Sequence, residues 1–143
     1  QSKLPLEGTV LITVNRQDRP EAVEVARTLH ECGFRILATG NTYQQITEAG
    51  IPAEKVKKLY QGRPNIYDLI TNGEIDLIVN SPIGKDSIYD DSYLRKAAIK
   101  AKVPYMTTIA AAKATASGIR YVKTHKQETV KSLQELHSEI HDK

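Results

Sequence analysis

The sequence predicts an α/β fold: a single-domain three-layer sandwich, with a central five-stranded, mostly parallel sheet and helices on both faces. Three observations predict it. Short apolar runs alternate five times with amphipathic, helix-length segments. The connections between them are short. The first run, T-V-L-I-T-V at 9–14, is β-branched and bounded by Gly8 and Asn15, the form of a buried strand.

Residues 1–8 read as a linker entering a domain at 9–143, and the chain is expected to be a piece of something longer. After the first strand, Asp18 as N-cap, Pro20 in the first turn and Glu21 at N3 start a helix. Its inward stripe is Ala22, Val25, Ala26 and Leu29, and Gly33 ends it. A second strand is expected over 34–38, and the next helix stops at Gly50 before Pro52. A short third strand is expected over 55–59. Asn65 then caps a helix that ends at Gly73, with Asp68 at N3. A fourth strand over 75–79 leads to Asn80 and Ser81, then a helix over 92–102 turns Leu94, Ala97, Ala98 and Ala101 inward. The fifth strand is 104–107. Thr108 caps an alanine-rich helix over 109–117, Gly118 lies beyond it, 120–123 reads as extended, and 128–141 as a separate amphipathic helix.

Composition narrows the function classes. With 143 residues, 40% hydrophobic and 26% charged, the chain is globular and long enough for one core. A net charge of +3 supports a mild preference for small anions and does not argue for nucleic acid. No apolar run reaches membrane length, and no signal peptide opens the chain. Cys32 is the single cysteine, which excludes an internal disulfide and a multi-thiolate zinc site. These features fit a cytoplasmic domain.

The stretch 36–42, I-L-A-T-G-N-T, joins the second strand to the next helix. The first amides of a helix lack internal partners and carry partial positive charge, so a phosphate or carboxylate fits there. Gly40 lets the backbone approach, and Thr39 and Thr42 offer hydroxyls; a merely capped connection, with Asn41 or Thr42 as N-cap, explains the loop equally well. In parallel sheets of this kind ligands sit beyond the carboxyl ends of the strands, where strand order reverses. The polar strand ends expected to line that rim are 15–16, 39–42, 57–60, 80–85 and 107–108.

The order of Asp18-Arg19, A-x-x-L at 26–29, Gly33-Phe34, A-T-x-x-T at 38–42 and E-A-G-I at 48–51 resembles the methylglyoxal synthase-like superfamily, a Rossmann- or flavodoxin-like fold, over nearly the whole chain. Q-G-R-P-N-I at 61–66 with Asp68, N-G-E-I-D at 72–76, residues 91–98 and Y-M-T-T at 105–108 are most similar to the C-terminal allosteric domain of carbamoyl phosphate synthetase large subunits. The resemblance implies a regulatory domain that binds a nucleotide monophosphate, UMP or IMP. It implies modulation of carbamoyl phosphate synthesis for pyrimidine and arginine biosynthesis. The phosphate falls to Thr39, Gly40, Asn41 and Thr42, with Arg19, Lys58 and Lys85; the ribose and base fall to Asn80, Ser81 and Gly84; Thr107 matches a threonine near the interface with the catalytic half, an ornithine-site candidate. Pro82 stands where the family carries a threonine and supplies neither hydroxyl nor N–H. For each of Arg19, Lys58, Lys85 and Thr107 a simple solvated or capping role remains open. The implied partners are the remainder of the large subunit and the small glutaminase subunit, with no nucleic acid or membrane. No cofactor or metal is implied in this domain; ATP, Mg or Mn, and K belong to the parent enzyme, an ATP-dependent ligase.

The alternative is a methylglyoxal synthase-type lyase acting on dihydroxyacetone phosphate. Such lyases resemble this protein but need an aspartate base in a Gly-Gly-Asp loop. Here that loop reads Gly62-Arg63-Pro64-Asn65, so no catalytic residue is assigned. His30, His125, His137 and His141 fall away from the rim. A third reading is an interaction module only, in which residues 119–122 are exposed and serve assembly together with the last helix; self-association is a separate partner expectation.

Overall fold

The computed structural model describes residues 4–58, 61–81 and 88–141, and the side chains of 4–58, 61–81 and 92–126. The strands β1 (Thr9–Thr13), β2 (Arg35–Ala38), β3 (Glu54–Lys55), β4 (Leu77–Asn80) and β5 (Tyr105–Met106) form one parallel sheet in the order β3-β2-β1-β4-β5. The helices are α1 (Arg19–Glu31), α2 (Gly40–Glu48), α3 (Ile66–Thr71), α4 (Ile88–Ala101) and α5 (Ile109–His141). The chain builds outward from β1 in one direction through β2 and β3, then returns and builds the other way through β4 and β5. Right-handed crossovers in opposite directions place their helices on opposite faces.

The core follows from that geometry. All five residues of β1 are buried. Val10 and Ile12 point to a layer that contains Ala22, Ala26 and Leu29 of α1 and Ala112, Ala116 and Ile119 of α5. Leu11 points to the other face, among Ile66 and Ile70 of α3 and Leu94, Ala97 and Ala98 of α4. Alternation within one strand therefore feeds two apolar layers, as a central parallel strand requires. Leu6 packs against the first layer, and the Gly8 carbonyl accepts from Arg35 N (2.8 Å).

Local signals set most of the boundaries. Asn65 caps α3 in a reciprocal capping box: its Oδ1 accepts from Tyr67 N (3.0 Å) and Asp68 N (3.3 Å), while Asp68 Oδ2 accepts from Asn65 N (2.9 Å). Thr108 Oγ1 accepts from Ala111 N at the start of α5 (3.1 Å). Asp18 is the N-cap of α1, although its side chain makes no cap bond; Asn15 Oδ1 accepts from the Asp18 amide instead, closing a 3₁₀ turn over Arg16–Asp18.

The structure differs from the sequence reading at four places. α2 begins at Gly40 with Thr39 as N-cap, not at Asn41 or Thr42. Of the strand expected over 55–59, the described residues pair at Glu54 and Lys55, with Val56 N still donating to Ala38 O (2.9 Å), before the Lys57 carbonyl accepts from Ile66 N (2.9 Å); residue 59 lies outside the described residues. α4 starts earlier, at Ile88, and Ala101 is exposed. α5 runs unbroken through Gly118 and through 120–123, and Ile119 is buried rather than exposed. Ala112, Ala116 and Ile119 recur at four- and three-residue spacing and pack against α1. Lys113 pairs with Glu21 (3.5 Å), Arg120 with Glu31, and Lys123 Nζ donates to the Cys32 carbonyl at the end of α1. These contacts on both sides of Gly118 hold one helix together across a weak helix former.

Because Gly118 sits in a helix interior with open space where a Cβ would stand, Gly118→Ala is expected to stabilise the fold by about 0.5–1 kcal/mol. A lowered melting temperature would instead indicate a left-handed helix stop there. Asn65→Ala is expected to cost about 1 kcal/mol through loss of the cap, measured by urea unfolding.

Candidate functional site

The carboxyl ends of the strands meet around one short turn. Thr13 lies opposite Asn80 in the β1–β4 register, and Ile12 lies opposite Ala38 in the β1–β2 register. Residues 13–15 then bond outward to both neighbours. Thr39 Oγ1 donates to Thr13 Oγ1 (2.7 Å). Thr42 Oγ1 accepts from Val14 N and donates to Val14 O, both at 3.3 Å. Asn15 N donates to Ser81 Oγ (2.9 Å), and Ser81 N donates to Thr13 O (3.2 Å). Thr39, Thr42, Asn80 and Ser81 are thereby brought together at the point where strand order reverses.

Their hydroxyls face inward. Thr39 is 1% exposed and Thr42 3%. The single Thr42 proton is spent on Val14 O, whereas the Thr39–Thr13 pair keeps one proton in reserve, since only one of two hydroxyls donates in their shared bond. What faces outward is backbone. Thr39 makes no side-chain cap bond to α2, Gly40 (φ +46°) has nothing within 4 Å of where a Cβ would stand, and Asn41 is exposed. The first turn of α2 therefore presents its amides at an open approach.

Arg19, the first residue of α1, is half-buried at the same end of the sheet. Its Nε is the one buried side-chain polar atom, among the described residues, that has no hydrogen-bond partner. A guanidinium N–H buried without an acceptor is unfavourable and is matched by an anionic oxygen. Lys58 is half-buried just beyond β3, its amide donating to Gln61 Oε1 (2.8 Å). Thr107 is half-buried just beyond β5. Four inter-strand spacings separate those edges, about 19 Å at ~4.8 Å each, so Lys58 and Thr107 do not share one small ligand group. Lys85, Gly84 and Pro82 lie outside the described residues.

The loop at 62–65, where a lyase reading requires an aspartate base, is occupied differently. Arg63 Nε and Nη2 donate to the two oxygens of Asp68 (3.2 and 2.5 Å), and Asn65 Nδ2 donates to Gly62 O (3.0 Å). Hydrogen bonding from the Arg63 guanidinium, and then from the Asn65 amide, holds the Asp68 carboxyl below the usual carboxylate range. A carboxylate so engaged is a helix cap and a poor base. Among the described residues, no group of three or more His, Cys, Asp or Glu is placed to hold a metal ion, and no helix is long and apolar enough to cross a membrane.

The structure brings the α2 turn, Arg19, Asn15 and the β4 end, all singled out in the sequence, to one end of the sheet; the sequence reading missed Thr13. The signal was available: Thr13 ends a fully buried strand, beside the point where the fold reverses direction.

Against known proteins, the model of the MGS-like domain family matches residues 21–107. The chain belongs to the MGS-like domain family. This MGS-like protein is 51% identical over 136 residues to the carbamoyl phosphate synthase large chain, C-terminal section, of Methanopyrus kandleri, covering 94% of its own length and 25% of that protein. It is 42% identical over 137 residues to the carbamoyl phosphate synthase large chain of Methanosarcina acetivorans, covering 96% and 13%. It thus spans about a quarter or an eighth of the length of these relatives. In fold, it is similar to the crystal structure of methylglyoxal synthase from Elizabethkingia anophelis, with a TM-score of 0.60 at 17% identity, over 82% of its own length and 79% of that protein's.

The depressed Asp68 acidity has a sign that experiment can read. Stability from this carboxylate is present above the ordinary carboxylate pKa and is lost as pH falls through its lowered folded value. Asp68→Asn should therefore be less stable than the parent at pH 7, with the difference closing below about pH 4. Denaturant titrations across that range check it; a pH-independent difference would contradict the ionised pair.

Proposed function

We propose that this MGS-like domain is the regulatory module of a carbamoyl phosphate synthase large chain. It binds a nucleotide monophosphate of the UMP or IMP class at the carboxyl rim of the sheet and leaves it unchanged. Occupancy then modulates carbamoyl phosphate synthesis, serving pyrimidine and arginine biosynthesis, with the rest of the large chain and the small glutaminase subunit as partners. ATP and the metal ions of that synthesis act outside this domain. Likeness at 51% identity to the C-terminal section of such a large chain supports the assignment.

The observation that carries the ligand class is the unpartnered Arg19 Nε at the same end of the sheet as the open first turn of α2. Together they supply a buried cationic N–H and free amides, the donor set a phosphate monoester accepts from. The inward Thr39 and Thr42 hydroxyls act in this reading by fixing the turn, and Thr13 or Thr39 supplies a spare hydroxyl proton. Asn80 and Ser81, fixed beside the same turn, face the ribose side. Lys58 adds cationic charge at the edge of the rim, and the resemblance assigns Lys85 to the same phosphate. The Arg63–Asp68 pairing weighs against lyase chemistry.

Titration calorimetry with uridylate and inosinate tests this. One of the two is expected to bind. Arg19→Ala and Gly40→Val are each expected to weaken it at least tenfold, ~1.4 kcal/mol, with the helical circular dichroism unchanged. Binding of neither nucleotide, or binding indifferent to both substitutions, would overturn the site. Release of phosphate from dihydroxyacetone phosphate would overturn the regulatory assignment.

A further inference from the structure

The outer face of α4 carries a group of side chains that the rim does not use. Leu94, Ala97 and Ala98 turn into the core, so the helical period puts Lys96 and Ile99 on the solvent side. Ile99 is 68% exposed, the most exposed large apolar side chain among the described residues. Arg95 and Lys96 stand one turn before it, Lys100 beside it and Lys102 three residues after it, all exposed. Residues 92–103 contain no carboxylate. None of the four cations forms an ion pair among the described residues. Arg95 lies over the Tyr105 ring, 5.8 Å from its centroid.

A single surface isoleucine needs no explanation. Four like charges around one do. The helix dipole accounts for Lys100 and Lys102 in and after the last turn, but it does not reach Arg95 and Lys96. Beside the end of α4 a cavity of about 280 Å³ opens, lined in part by Pro5, Ile75, Asp76, Lys102, Val103 and Pro104. A protruding apolar side chain, a cationic surround and an adjoining hollow lie together on one side of the molecule. Isolated from a partner, the cations repel one another; opposite an acidic surface they gain pairs that lose water on docking.

We propose that the outer face of α4, centred on Ile99, docks against the remainder of a carbamoyl phosphate synthase large chain, on a surface that is acidic around an apolar socket. This rests on the assignment of the domain to such a protein. Two observations select that occupant. Residues 92–102 of this face carry four cations and no carboxylate, so a second copy presenting the same stretch would repel it. And three quarters or more of each of the two carbamoyl phosphate synthase relatives lies outside the region matched here, so a large partner of the same assembly is at hand. The face also connects to the rim. Arg95 covers Tyr105, and Tyr105 Oη accepts from Asn80 Nδ2 (2.5 Å) at the end of β4. Two side chains thus separate the docking helix from the strand end where a ligand is proposed to sit.

The test places the photo-cross-linker p-benzoylphenylalanine at position 99 in the complete synthase, large chain with its small subunit, followed by irradiation and peptide mapping. Cross-links are expected to a net-acidic segment of the large chain outside residues 1–143, and their yield is expected to fall at least tenfold when Lys96→Glu and Lys100→Glu are combined. Cross-links only to a second copy, only within 1–143, or to no protein would overturn the docking, as would a yield unaffected by the charge reversals. Loss of the cross-link to competing anionic phosphatidylserine vesicles would assign the face to a membrane surface instead. Calorimetry with uridylate and inosinate on the same preparation reads the rim separately. An intact cross-link without nucleotide binding fails the effector reading alone; nucleotide binding without a cross-link fails the docking alone.

Discussion

The structure depends on β1 and the residues that follow it. The strand is buried on both faces, pairs with β2 and β4 along its length, and supplies apolar side chains to both layers of the sandwich. Its extension through Val14 and Asn15 then holds the start of α2 on one side and the end of β4 on the other. These bonds are formed largely out of water, where losing a partner leaves an unsatisfied polar group. A change at Thr13 therefore disturbs the rim from within, although its side chain points into the protein and not at solvent.

The two helical layers are joined to that strand in different ways. On the α1–α5 side, Lys113, Arg120 and Lys123 reach across from α5 to Glu21, Glu31 and the Cys32 carbonyl, adding polar ties to the apolar seam of Ala112, Ala116 and Ile119. The first two are exposed pairs and contribute little each; the third also satisfies a carbonyl at a helix end. On the α3–α4 side the described links run toward the rim: the Asn65 capping box with its Arg63–Asp68 pair, the stacked rings of Tyr67 and Tyr93 (4.7 Å between centroids), and Arg95 over Tyr105. One layer is fastened; the other is wired to the strand ends. A domain that converts occupancy of a site into a signal needs both, a fixed frame and an element whose position reports on the site.

The fold was legible because its signals are local. A β-branched run, a helix-capping residue and a glycine stop each act over a few residues, and together they place the strands and the first four helices in order; at Gly118 the same glycine signal misleads. The site was half legible. The α2 turn shows in the spelling of 38–42, but which atoms it offers does not: a threonine hydroxyl solvates a ligand or a neighbouring strand equally well, and here both hydroxyls turn to β1. Arg19 was visible as a cation at a helix start; that its Nε is buried without an acceptor is a property of everything packed around it.

By itself the sequence determined the alternation of strands and helices, the caps at Asn65 and Thr108, and the family likeness carried by its ordered motifs, since each depends on neighbours along the backbone. Only the tertiary structure decided the rest. It kept α5 whole across Gly118, because α1 binds the helix on both sides of that glycine. It ended the pairing of β3 at Lys55 and gave the Lys57 carbonyl to the first amide of α3. And it turned Thr39 and Thr42 inward, because hydrogen bonds to a buried strand are settled by what lies opposite in space, which no stretch of sequence specifies.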